Sequence, residues 1–211
     1  MPSCIDYHTH MPHPGGGYLC TTRREEWDAA AGEERMIPCL GVHPWYAAQH
    51  KPVQIFRDLE LFLGRYPRAQ VGESGLDDSK RAKSSLALQM EFLELHADAA
   101  MHHKRLLQLH GAGAWGKLLE WAKRRAKLGT LPSLHLHAWN GSPELAGEFL
   151  RLGASFSLGP REWHSPGAQR KYGIQMIGRL FPESDDKPET WPESLSLWEA
   201  WRKRREETSS S

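Results

Sequence analysis

The stretch Arg105-Leu106-Leu107-Gln108-Leu109-His110, the segment Ala114–Leu128, and then Leu131-Pro132-Ser133-Leu134-His135-Leu136-His137 together decide the fold. The two outer segments are short apolar runs of strand length, and each ends in a histidine. Between them lies a longer amphipathic segment. Gly129 stands just past its end, where a left-handed residue is needed. Strand, helix, strand in this order reads as a parallel βαβ unit.

The alternation continues in both directions. Strands are expected at Ser3–Tyr7, Tyr18–Thr22, Met36–Gly41, Gln70–Glu73, Arg105–His110, Leu131–His137, Ala154–Ser157 and Arg179–Pro182. Helices are expected at Arg24–Arg35, Val53–Tyr66, Ser84–His103, Ala114–Leu128, Pro143–Leu152, Pro166–Gly178 and Trp191–Glu207. The clearest is Ser84–His103, where Leu86, Met90, Leu93, Ala97 and Ala100 form an apolar stripe at three-to-four spacing. Ser142 is an expected N-cap, with Pro143 suited to the first turn behind it. The expected class is α/β, a distorted (β/α) TIM-type barrel of seven or eight mostly parallel strands. A doubly wound open sheet shares the local pattern. One domain is expected over residues 1–207, followed by a disordered polar tail at 208–211.

The bulk numbers exclude some classes. The chain has 211 residues, with 27 Lys+Arg against 26 Asp+Glu, so broad electrostatic attraction to nucleic acid is not its basis for binding. A local basic patch remains open, and the run Arg202–Arg205 reads first as a solvated helix end. Three cysteines without CxxC spacing fit a reducing compartment. No apolar run has membrane-spanning length and no signal peptide opens the sequence, so a cytoplasmic protein is expected.

Twelve histidines are many, and their positions carry the chemistry. Asp6-Tyr7-His8-Thr9-His10 puts Asp6, His8 and His10 on one face of an extended segment, since residues two apart in a strand point the same way. His43 follows the third strand. Glu73 ends the fourth, ahead of Ser74-Gly75-Leu76-Asp77. His110 ends the fifth, His135 and His137 the sixth, and Glu183-Ser184-Asp185-Asp186 follow the last. In a barrel those ends converge on one face, where active sites lie. The set is all nitrogen and oxygen and exceeds the needs of one four-coordinate ion. It suits two divalent ions bridged by a carboxylate, and the chemistry implied is hydrolysis. Zn, Mn and Mg are all admitted, as are Fe and Ni. Trp45, Trp115, Trp139 and Trp163 are read either as site aromatics able to stack on a base or as packing residues.

With these residues in place, the sequence from Cys4 to about Asp186 resembles the TatD-type metal-dependent deoxyribonucleases, a branch of the amidohydrolase-like barrels. Asp6-Tyr7-His8-Thr9-His10 resembles the family's D-x-H-x-H, and Gly41-Val42-His43-Pro44-Trp45 its G-I-H-P segment. Gly72-Glu73-Ser74-Gly75-Leu76-Asp77 is similar to G-E-x-G-L-D. Gln89, leading into Phe92 and His96, sits where the family has a glutamine- and phenylalanine-bearing helix. Leu107–His110 resembles the strand ending in I-H, His137–Gly141 resembles H-x-F-x-G, and Glu183-Ser184-Asp185 resembles E-T-D.

The resemblance implies one ion on His8, His10 and Asp185, a second on His110 and His137, and Glu73 bridging them. It implies Asp185 as general base and His43 as a substrate contact, on a phosphate or leaving oxygen. His135, deeper on the same face as His137, is read as a supporting or a core residue, and Asp6 as a carboxylate below the pair, orienting His8 or His10. The implied substrate is DNA, attacked at strand ends by metal-activated water. The sequence departs from larger members in four ways. The segment between His10 and His43 is short, Ser184 replaces a threonine, and a single helix follows Asp186. Ala112 also stands where the family often has an arginine. That last change removes a phosphate-binding cation and keeps open a hydrolase of a small amide, ester or lactone; a third reading, from a different class, is a non-catalytic binding protein stabilised by metal.

Overall fold

The computed structural model describes residues 4–165 and 176–209. Eight strands form one sheet in sequence order, every neighbouring pair parallel. They are β1 (Asp6–Thr9), β2 (Gly17–Cys20), β3 (Ile37–Leu40), β4 (Gln70–Asp77), β5 (Leu106–Ala112), β6 (Ser133–Leu136), β7 (Ser155–Leu158) and β8 (Leu180–Pro182). The helices are α1 (Trp27–Gly32), α2 (Pro52–Arg65), α3 (Leu86–His102), α4 (Trp115–Lys127), α5 (Pro143–Arg151), α6 (Pro160–Trp163) and α7 (Trp191–Ser209).

The sheet nearly closes on itself, which selects the barrel over the open doubly wound sheet. Thr9 bridges Asp185 in parallel, just past β8. The backbone N–H of Asp185 donates to His8 O (2.9 Å), and that of His10 donates to Asp185 O (3.1 Å). Asp6 reinforces this seam. Its Oδ1 accepts from the backbone N–H groups of His8 (3.1 Å) and Ser184 (3.2 Å), and its Oδ2 pairs with His13 Nε2 at 2.9 Å.

Alternation along the strands separates two environments. Leu107 and Leu109 of β5 and Phe156 and Leu158 of β7 are buried in the apolar core, with Leu93, Ala97 and Ala100 of α3 and Phe149 of α5. The alternate positions Asp6, Gln108, His135 and Ser157 are buried polar groups inside the barrel. Ser85 and Ser142 cap α3 and α5 through their hydroxyls, accepting from the N–H groups of Leu88 (3.2 Å) and Leu145 (3.3 Å).

Several expected boundaries shift. The helix expected over Arg24–Arg35 is a short 3-10 turn, Arg24–Glu26, followed by α1. The helix expected over Pro166–Gly178 lies almost wholly outside the described residues. α7 runs to Ser209, two residues beyond the expected end, and residues 210–211 are not described. β4 and β5 run past Glu73 and His110 because they pair with each other to Asp77↔Ala112. Trp115, Trp139 and Trp163 are packing residues, all buried, whereas Trp45 lines the cleft described next.

Candidate metal centre

At the C-terminal ends of the strands lies a cleft of about 710 Å³, lined by His10, His43, Glu73, His110, His137 and Asp185 among others. His8 is fully buried beneath it. The structure therefore brings together every residue that the sequence reading placed at the site.

Glu73 is the hub. Its Oε2 faces the first-strand pair, 3.4 Å from His8 Nε2 and 3.2 Å from His10 Nε2. Its Oε1 faces the other pair, 2.9 Å from His110 Nδ1 and 2.7 Å from His137 Nε2, with His43 Nε2 at 3.4 Å. None of these approaches has hydrogen-bond geometry, so both buried carboxylate oxygens lack a partner. Asp185 enters from the seam, its Oδ1 3.5 Å from His10 Nε2 and 3.9 Å from His8 Nε2. Its backbone is left-handed (φ 55°), a conformation that aspartate tolerates better than most side chains.

The far nitrogens of the rings fix which near nitrogens carry lone pairs. His10 Nδ1 donates to Cys20 O (2.7 Å). His8 Nδ1 faces Gln108 Oε1 (3.4 Å), and Gln108 is itself held by donating to Tyr7 O (3.0 Å). His110 Nε2 faces Asp77 Oδ2 (3.2 Å). In the neutral rings, these partners put the proton on the far nitrogen and turn the lone pair of the near one inward, as metal-binding histidines are oriented. His8 Nε2 and His10 Nε2 then meet 3.4 Å apart, and His110 Nδ1 and His137 Nε2 meet 3.3 Å apart. Ligands about 2.1 Å from a tetrahedral ion are separated by about that distance. The residues present thus fit a metal centre on three counts: convergent lone pairs, an orphaned buried carboxylate, and an all-nitrogen/oxygen donor set.

His43 is the exception. Its Nδ1 accepts from the backbone N–H of Trp45 (3.1 Å), so a neutral ring carries its proton on Nε2, facing the cleft. Burial pulls its pKa down to about 3 and keeps it neutral. One of its ring nitrogens also lies within 4.8 Å of donor atoms of Glu73 and His110, so it stands at the edge of the same cluster.

The electrostatics favour positive charge at the centre. Burial opposes ionisation of Glu73, yet His137 and His43 and the other imidazoles hold its pKa well below the usual range. Burial also disfavours imidazolium at His10, but Glu73 and then Asp185 outweigh it and raise the pKa to about 10. At His110, Asp77 and Glu73 overcome burial and raise it to about 9.

Three supporting residues were not assigned from the sequence. Gln108 and Asp77 orient His8 and His110 as described. Glu183, buried below Asp185, accepts from the backbone N–H of Ala138 (2.9 Å), bonds Ser157 and lies 3.9 Å from His137 Nδ1. Burial, reinforced by the charge of Asp185, raises its pKa well above the ordinary value. The two-residue strand period could have found Gln108 and Glu183, each two positions before a site residue. Asp6, read as an orienting carboxylate for His8 or His10, instead holds backbone N–H groups and His13, because its carboxylate sits at the seam below the rings. His135 does lie beneath His137, bridging Ser155 Oγ and Ser157 Oγ at 2.8 Å each.

Comparison with known proteins agrees with the fold. The chain is 28% identical over 171 residues to a Mus musculus protein described as "Putative deoxyribonuclease TATDN3", covering 76% of this chain and 56% of that protein. It thus spans little more than half the length of that relative. Among solved structures, the TatD homologue YJJV from Escherichia coli K12 superposes with a TM-score of 0.78 at 20% identity, covering 94% of this chain and 89% of that one. A TatD family hydrolase from Entamoeba histolytica superposes with a TM-score of 0.66 at 16% identity, covering 82% and 60%. The model of the TatD related DNase family matches residues 17–176. That span stops short of His8 and His10 on one side and Asp185 on the other, which the barrel seam brings back beside it. With about three quarters of its length matched, the chain belongs to the TatD related DNase family.

Proposed function

We propose that this chain is a metal-dependent phosphodiesterase, a deoxyribonuclease acting on DNA ends through a binuclear centre. The observation that carries the reading is the division of labour at Glu73. One oxygen faces His8 and His10, and the other faces His110 and His137. One ion would be held by His8, His10 and Asp185, a second by His110 and His137, with Glu73 between them. When bound, such ions polarise a phosphoryl oxygen and supply hydroxide near neutral pH.

The chain's own groups provide the rest. Asp185 is part exposed at the cleft and turns Oδ1 toward the centre, positioned to take a proton from the attacking water. His43 presents Nε2–H to a phosphate or leaving oxygen without adding charge. Arg23, Arg81 and Arg161 line the same cleft, as do Trp45 and Tyr46. Arg23 lies over the Tyr46 ring (3.8 Å) and Arg81 over the Trp45 ring (5.7 Å). Cations beside aromatic faces suit a strand of alternating phosphates and bases.

Ala112, also on the cleft wall, is the one observation favouring a small amide, ester or lactone instead, since it offers no cation beside His110. The presence of all six ligand-type residues weighs against a non-catalytic role. No helix among the described residues is long and apolar enough to cross a membrane. The test is metal analysis combined with digestion of labelled single-stranded DNA in Mg, Mn or Zn, with and without EDTA. Cleavage abolished by EDTA, and lost together with bound metal in Glu73→Gln, is expected. A fully active Glu73→Gln would sink the bridging role. Absence of cleavage alongside turnover of a small ester or amide would move the substrate to the second class.

A further inference from the structure

Outside the cleft, the described residues contain one further cluster of metal-ligating side chains: Glu60, His102 and His103. Glu60 lies on α2, His102 is the last residue of α3, and His103 follows it. α3 returns from the cleft end of the barrel, and β5 starts three residues past His103, at Leu106. The cluster therefore sits toward the end of the barrel opposite the cleft. Glu60 Oε2 is 2.7 Å from His102 Nδ1 and 3.4 Å from His103 Nε2, and one donor atom from each residue lies within 4.8 Å of the others.

Two further facts separate this cluster from an ordinary surface ion pair. Glu60 Oε1 and His103 Nε2 are both buried and make no hydrogen bond. A buried acceptor without a partner is disfavoured, and a cation shared by both residues would satisfy it. The end of α3 also carries the negative pole of the helix, which favours a cation there. His102 is 70% exposed and gives the site an open side.

We propose that Glu60, His102 and His103 form a peripheral transition-metal site that clips α2 to α3. Two imidazoles and one carboxylate, with solvent completing the shell, suit Zn²⁺, Ni²⁺ or Cu²⁺ rather than Mg²⁺ or Ca²⁺. The site is independent of the reading of the cleft.

The test compares metal-free wild-type protein with His102→Ala/His103→Ala and with Glu60→Gln. Each is dialysed against ZnCl₂, and bound zinc is counted per chain. Each variant is expected to hold one equivalent less than wild type, and to show a smaller zinc-induced rise in Tm. Equal zinc content in wild type and variants overturns the proposal. Should the double variant fail to fold, His102→Ala alone decides the matter, since that side chain is largely in solvent.

Discussion

Inside the barrel, side chains work in pairs two residues apart. Asp6 lies below His8, Gln108 below His110, His135 below His137, and Glu183 below Asp185. The lower member is buried and hydrogen-bonded; the upper one faces the cleft or its floor. The upper members were legible in the sequence as a set, because a histidine or carboxylate closes almost every expected strand; any one of them alone would read as a packed or solvated residue. The orienting partners were harder to read. Cys20 holds His10 through a backbone carbonyl, which no side chain announces. Gln108 serves His8 from across the barrel, a hundred residues away. Two substitutions separate the roles at this scale. His43→Ala is expected to keep its metal and lose on the order of 10²-fold in turnover, the loss typical of one positioned donor. Asp185→Asn, which tolerates the same left-handed backbone, is expected to abolish turnover while retaining DNA binding. Metal analysis and a binding isotherm beside the activity assay check both. A His43→Ala variant that loses its metal would make His43 a ligand.

At the scale of elements, β4 departs most from what its sequence suggests. Gly72, Ser74, Gly75 and Asp77 are turn-type residues, so the strand was expected to stop at Glu73. It continues because β5 pairs with it through Asp77, and glycine is what permits the approach. Gly75 has φ 141°, and a Cβ there would lie 2.1 Å from His110 O. Gly75→Ala is therefore expected to displace β4 from β5, costing several kcal/mol on the order of a severe core substitution. Denaturant unfolding with metal analysis reads stability and site together, and unchanged values in both would refute the close approach.

His96 on α3 ties another element to the cleft, accepting from the backbone N–H of Val42 (3.2 Å), next to His43. Burial lowers its pKa to about 4. The unfolded chain takes up this proton near pH 6.5, the folded chain only near pH 4. This contribution is thus present above pH 6.5 and falls away as pH drops through that window, by roughly 3 kcal/mol. His96→Gln should flatten the acid limb of stability between pH 6.5 and 4, measured by urea unfolding. An unchanged acid slope would show that His96 does not set it.

For the molecule as a whole, the regular order of strands and helices made the barrel readable, while its closure was not. β8 has three residues, and the seam to β1 rests on a few backbone bonds and the Asp6 carboxylate. The proposed ligands His8, His10 and Asp185 stand on both sides of that seam, so an ion there would fasten the first strand to the last. Chelation is expected to lower Tm by removing the stabilisation that binding contributes, about 2.7 kcal/mol at a hundredfold excess over Kd. Hydrogen exchange should speed up at Ser184, Asp185 and His10 before it does in β5. Uniform loss of protection would show that the seam is not the weak point.

The same seam sets an order of events during synthesis. By the time His137 has left the ribosome, five of the six proposed ligands are available. The sixth, Asp185, is seated by the backbone of His8 and His10, which leave the ribosome well before it. A nascent chain halted before Ser184 would hold most of the donors but no closed ring to arrange them. The proposed activity would thereby be tied to translation through β8: a chain lacking that strand would carry most of the donors without the seam that arranges them.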